Sequence, residues 1–225
     1  MIRFFALSVI MLGGPALASA QTIVDRRAWL TTSFQGRQSR ESPWRWSFDA
    51  IGRSREGVGS IDTMTFRPMV LYSVSSRTSI GGGYARVLMY PAAGGMLTEN
   101  RVFGVYLWTG VARAGTMTMR VRVEDRMIES NSGMVWRVRP QARFSHPLQP
   151  GSRHALVGWD ELSVNLNATT RLARGVDQNR AFGGVSTTWS PRFRTEVGYL
   201  NQFLPGHGNP DRMNHVFSTS LSVTF

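Results

Sequence analysis

The 225-residue chain contains no cysteine and no lysine, and only four histidines. It has no apolar run long enough to cross a bilayer as a helix, the N-terminal run Phe4 to Leu12 included. The missing cysteine excludes a disulfide-stapled domain, Cys-ligated zinc or iron–sulfur sites and thiol catalysis. The missing lysine makes all 26 basic residues arginine, set against 14 acids for a net charge of +12. A pI near 11.5 would suit a nucleic-acid binder. A content of 42% hydrophobic and 11% aromatic residues is too high for a disordered basic tail, so the positions of the arginines decide what the charge is for.

The N-terminus points to export. Arg3 supplies a positive start, Phe4 to Leu12 is nearly unbroken apolar, Gly13-Gly14-Pro15 interrupts it, and Ala18-Ser19-Ala20 precedes Gln21 as a small-residue cleavage site. These are the three parts of a secretory signal peptide, expected over 1–20 and cleaved, leaving 21–225 as one domain. Export argues against a nucleic-acid partner.

The remainder alternates with period two. Trp44, Trp46, Phe48 and Ala50 share one face, and Arg45, Ser47 and Asp49 the other. Met117, Met119, Val121 and Val123 oppose Thr118, Arg120, Arg122 and Glu124; Trp136, Val138, Ala142 and Phe144 oppose Arg137, Arg139, Gln141 and Arg143. The last run sets His215, Phe217, Thr219, Leu221, Val223 and Phe225 against Val216 and a series of hydroxyls. Further strands are expected over 28–37, 66–75, 79–90, 101–112, 154–166, 180–189 and 193–203. Short connections alternate with longer ones around 91–98, 167–179 and 204–212. The expected fold is all-β: a transmembrane antiparallel up-and-down β-barrel in the outer membrane of a Gram-negative bacterium. Eleven strands are counted, but single-chain bacterial barrels normally have an even number, so twelve is favoured, with ten as the alternative. The doubtful segment is 154–166, where the apolar phase switches at Trp159-Asp160-Glu161, as at a bulge or bend. A mean hydropathy of −0.17 also fits a soluble β-sandwich or lipocalin-like barrel. Against these stand the arginine-rich polar faces, the tryptophans near strand ends (Trp29, Trp44, Trp108, Trp136, Trp189) suited to an interfacial girdle, and the amphipathic last strand.

The Trp29-Leu30 pair, Trp44-Arg45-Trp46, Gly82-Gly83-Tyr84, Trp159-Asp160-Glu161, the Glu196-Val197-Gly198-Tyr199 strand with Asn201-Gln202, and His215-Val216-Phe217 occur in an order that resembles the bacterial domain-of-unknown-function family 2490. The resemblance spans 24–225 and implies an outer-membrane β-barrel. It carries over no catalytic or binding residue.

The candidate site is the set of arginines on the polar registers: Arg45 and Arg53 on one strand, Arg120, Arg122 and Arg126 on a second, Arg137, Arg139 and Arg143 on a third. The last two strands are consecutive, so their arginine rows should lie side by side. Forked guanidinium donors suit carboxylates, sulfates and phosphates, and arginine tracks in pores favour anions. The expectation is a narrow channel preferring small anionic solutes. The competing expectation is a closed lumen, in which Asp49, Glu124, Asp125, Asp160, Glu161 and Glu196 neutralise the arginines. An enzyme acting on outer-membrane lipids or peptides is a further alternative, resting on His207, Asp211 and His215 around one long loop. No catalytic residue, metal ligand or cofactor motif is otherwise expected. Expected partners are outer-membrane lipids, lipopolysaccharide included, and the outer-membrane assembly machinery through Phe225.

Overall fold

The computed structural model describes residues 22–39, 41–129 and 131–225. The expected signal peptide and Arg40 lie outside the described residues. Among the described residues there is no helix, and eleven strands run in chain order: β1 (Ile23–Arg37), β2 (Trp44–Arg55), β3 (Ser60–Ser73), β4 (Thr78–Met89), β5 (Leu97–Ala112), β6 (Gly115–Ile128), β7 (Val135–Pro147), β8 (His154–Asn165), β9 (Gly175–Ser190), β10 (Phe193–Leu204) and β11 (Arg212–Thr224). Each strand pairs antiparallel with its chain neighbours, and β1 closes the barrel against β11.

The strand count is therefore eleven, not twelve or ten. In an up-and-down barrel each strand reverses the last, so an odd number leaves the first and last strands running the same way. The closing seam must then be parallel. It is: Ile23 to Gln35 pair in register with Arg212 to Thr224, and the seam continues through Phe225 N–H to the Gln35 carbonyl (2.9 Å). No hidden strand precedes Trp29 among the described residues; those residues lengthen β1 instead. The doubtful segment 154–166 is in the wall as β8, with no break in phase at Trp159-Asp160-Glu161.

Ten reversals also put the start of β1 and the end of β11 at opposite ends of the barrel. The connections 38–43, 74–77, 113–114, 148–153 and 191–192 share one end with the end of β11, while 56–59, 90–96, 129–134, 166–174 and 205–211 share the other with the start of β1. The first set includes two two-residue turns and the second reaches nine residues, so we call these the short-turn and long-loop ends.

The outer face is apolar in a band. Near the short-turn end, alternation turns Trp44, Trp46, Tyr72, Trp108, Phe144 and Trp189 outward, and Trp44 packs edge-on against Tyr72 (4.9 Å between centroids). Above them Val102 is 55% exposed and Phe217 61%, so these residues face the surroundings and not a core. Eight residues up from the girdle, polar side chains replace them: Asn100 above Trp108, Asn201 above Phe193, Arg26 above Phe34. Eight residues at ~3.3 Å rise, tilted 35–45°, span roughly 20 Å of axis.

Three bulges break the period; in one, beside the 191–192 turn, Trp189 is extra between the pairs Phe193–Ser190 and Arg194–Thr188, and the other two carry acids. In β3, Asp62 is an extra residue between the pairs Arg53–Thr63 and Ser54–Ile61; in β9, Asp177 is extra between Ser163–Gln178 and Val164–Val176. A bulge re-aims the side chain it carries, and both acidic bulges turn carboxylates onto arginines. Asp62 meets Arg27 at 2.8 Å, and Asp177 meets Arg137 at 2.5 Å.

Candidate functional site in the barrel lumen

All eight arginines singled out from the sequence sit on the inward registers, and β6 and β7 do place their rows side by side. Arg122 is opposite Arg139, and Glu124 opposite Arg137. Most are not free. A chain of alternating charge runs around the lumen from β5 to β9. Glu99 accepts from Arg101 (2.8 Å) and Arg126 (2.5 Å), and Arg126 and Arg137 both reach Asp177 (3.6 and 2.5 Å). Arg137 and Arg139 share Glu124 (2.6 and 3.4 Å). Glu161 accepts from Arg139 (2.5 Å), Arg120 (2.6 Å) and Arg180 (3.5 Å). These contacts are charge-assisted and several are bidentate, the geometry for which the guanidinium fork is suited.

The ring is continued on the other strands. Arg27 bridges Asp25 and Asp62 at 2.8 Å each, and Asn214, Gln202 and Gln178 hand hydrogen bonds across β11, β10 and β9 at 2.9 and 2.6 Å. Arg137, Glu124, Glu99, Asn165 and Asn214 are all at most 2% exposed.

Next to this network lies an apolar plug. Trp29, Val157, Phe182, Leu200 and Val216 form a buried cluster inside the barrel, with Trp159 stacked on Phe182 (5.4 Å, 15°). The Phe182 ring lies over the facing glycines Gly184 and Gly198, where an added Cβ would come within 2.6 and 2.7 Å of its tip. The plug explains the switch of apolar phase in β8: Val157 and Trp159 point inward with Glu161 and Ser163, and the lumen itself changes from apolar to polar along the strand. Trp29 is thus not a girdle residue. It is inside, 7% exposed, with the guanidinium groups of Arg53 and Arg180 over its ring at 4.3 and 5.1 Å.

Of the acids expected to neutralise the arginines, Asp49, Glu124, Glu161 and Glu196 do so. Asp49 takes Arg67 (2.7 Å) and Glu196 takes Arg143. Asp125 and Asp160 do not: alternation turns both to the outer face, where Asp160 accepts from Asn179 (3.1 Å). The sequence reading missed Glu99 and Asp177, each assigned to or beside a loop. Glu99 was nonetheless two residues ahead of the Arg101, Phe103, Val105 series, in phase with it.

The short-turn half of the lumen is open by contrast. It holds a cavity of about 730 Å³, lined by Arg37, Arg45, Arg67, Arg120, Arg122 and Arg192, with Asp49 the one acid of the lining. Arg45 donates to Ser79 (2.6 Å), and Arg122 lies over the Phe103 ring (4.5 Å).

His207, Asp211 and His215 are not brought together. His207 Nε2 meets the Val176 carbonyl (2.8 Å), Asp211 accepts from the Gly206 N–H (2.8 Å), and outward-facing His215 contacts the Tyr199 hydroxyl (2.5 Å). No group of His, Asp and Glu able to hold a metal ion occurs among the described residues.

No solved structure matches the chain. An uncharacterized protein of Methylorubrum extorquens is 28% identical over 226 residues, covering 99% of this chain and 98% of that protein. Residues 26–214 match the family described as protein of unknown function DUF2490. The chain belongs to that family.

Proposed function

We propose that the protein is an outer-membrane β-barrel whose lumen is sealed in its long-loop half, and that it is not a through-channel. The observation that carries this reading is the charge chain from Arg101 to Glu161, with Glu99, Glu124 and Arg137 at most 2% exposed inside a closed wall. Small barrels are commonly filled by their own side chains. Membrane insertion is supported by the outward apolar band, its girdle at the short-turn end and its polar border eight residues higher. A closed barrel leaves no unpaired strand edge, as a hydrocarbon environment requires. In this reading the short turns and Phe225 face the periplasm, where Phe225 is offered to the assembly machinery. The long loops then face outward among lipopolysaccharide.

Density-gradient fractionation of cells and liposome swelling test the two parts separately. The protein should co-sediment with outer membranes and run as a heat-modifiable band, and proteoliposomes should not swell in small sugars or anionic solutes. Recovery in the soluble fraction would overturn the membrane reading, and swelling would overturn the seal.

A further inference from the structure

The cavity in the short-turn half has a composition that the seal does not require. Its floor reaches Arg120 and Arg122 in the middle of the barrel, and its mouth lies at the rim beside Arg192 and Phe225. Arg122 is 2% exposed, and among the described residues it makes no ion pair and its Nε has no hydrogen-bond partner. A buried guanidinium without a counter-ion carries a large desolvation cost. The nearby acids attract it only at longer range: Asp49 is engaged by Arg67 at 2.7 and 3.0 Å and by Ser33 at 2.6 Å, and Glu124 by Arg137 and Arg139. Beside the arginines, β3 and β5 contribute Met69, Leu71, Val105 and Leu107 to the lining. Val105 is the cross-strand partner of Arg122, Leu107 of Arg120 and Leu71 of Arg45, so aliphatic side chains and guanidinium groups lie side by side on one wall.

We propose that this blind cavity binds an anionic amphiphile: a phosphate or carboxylate head held by Arg122 with Arg45 and Arg120, and an aliphatic chain laid on the β3–β5 wall. A volume of about 730 Å³ is far larger than an inorganic anion fills, and pockets of 300–1,000 Å³ take drug-sized ligands. Arginine forks match phosphate and carboxylate heads, and a charge partner supplies what Arg122 lacks. The site is reached from the short-turn end. The inference uses the barrel's closed wall but not its membrane location, and binding is read separately from permeability, so the two can fail independently.

The test is native mass spectrometry of the full barrel in dodecyl maltoside, titrated with dodecyl phosphate. The detergent presents neutral chains of the same length in excess, so an adduct reports the charged head. One dodecyl phosphate per chain is expected, with affinity falling roughly tenfold or more in Arg122→Gln. Arg45→Gln, which loses only a contact to Ser79, should weaken binding as well and serves if Arg122→Gln does not fold. Arg86→Gln, on the outer face, should leave binding unchanged. Inorganic phosphate alone should give no adduct at the same concentration. Adducts of equal strength in Arg122→Gln and Arg45→Gln, or equal losses in Arg86→Gln, would overturn the site. Equal binding of inorganic phosphate would overturn the assignment of an amphiphile.

Discussion

Replacing Glu161 by glutamine keeps the shape of the side chain and removes one negative charge from the middle of the lumen. The carboxylate is 2% exposed and accepts from Arg139, Arg120 and Arg180 at 2.5, 2.6 and 3.5 Å. Arg139 keeps a second acid, Glu124, at 3.4 Å, whereas Arg120 and Arg180 have no other ion pair among the described residues. Glu161→Gln thus leaves the buried Arg180 and the half-buried Arg120 uncompensated. Removing one partner of a buried pair costs about 3–5 kcal/mol, and because Arg120 reaches the open cavity the expected cost is about 3–4 kcal/mol. The assay is reversible urea unfolding in phospholipid vesicles, followed by tryptophan fluorescence, with stability taken from the midpoint and slope. Asp160→Asn, one residue away but outward and bonded only to Asn179, is the matched control and should change stability by less than about 0.5 kcal/mol. In a cycle with Arg139→Gln, the double substitution should cost less than the sum of the singles by about 1–3 kcal/mol. A loss below about 1 kcal/mol for Glu161→Gln, or additivity with Arg139→Gln, would refute the ion network as a structural element.

Three further outcomes are expected. Phe182→Ala should destabilise by about 3–5 kcal/mol in the same assay, because it empties the centre of the Trp29–Leu200–Val216 plug; a cost under about 1 kcal/mol would mean the plug is not packed. A Ser33→Cys, Ser222→Cys pair should form a disulfide on mild oxidation, since these residues are partners across the parallel seam and the chain has no native cysteine to compete; absence of the cross-link in folded protein would count against eleven-strand closure. An epitope placed immediately before Thr22 should be as accessible on intact cells as one in the 166–174 loop, because β1 starts at the long-loop end. Protection of the first epitope alone would contradict the odd strand count.

The wall was legible in the sequence because its outer face repeats every two residues against a uniform exterior. Each of the eleven expected strands exists, with the apolar and polar faces of 44–50, 117–124 and 135–144 as read. What misled was the rule of parity: the count of eleven was right, and the adjustment to twelve or ten was not. The interior was less legible, for two physical reasons. It is not uniformly polar, so Trp29 reads as a girdle residue and 154–166 as a segment with a break in phase, when Trp29, Val157 and Phe182 form a plug. The acids that balance the arginines also come partly from bulges, where the alternation that identifies a strand fails. Asp62 and Asp177 fall in such places, in extensions of β3 and β9 beyond the expected strands. The surplus of arginine was visible from composition. The division of that surplus into a neutralised chain and a cavity with an unpaired Arg122 needed the register.

The most direct test of the seal is single-channel recording in planar bilayers with the wild-type barrel and an Arg137→Ser, Glu124→Ser double variant, which removes both members of a buried pair and opens space while Asp177 keeps Arg126 and Arg139 keeps Glu161. The wild type should give no unitary conductance steps, and the double variant should give small, resolvable ones. Steady steps from the wild type, with anion preference, would contradict the sealed lumen and restore the channel reading of its arginines.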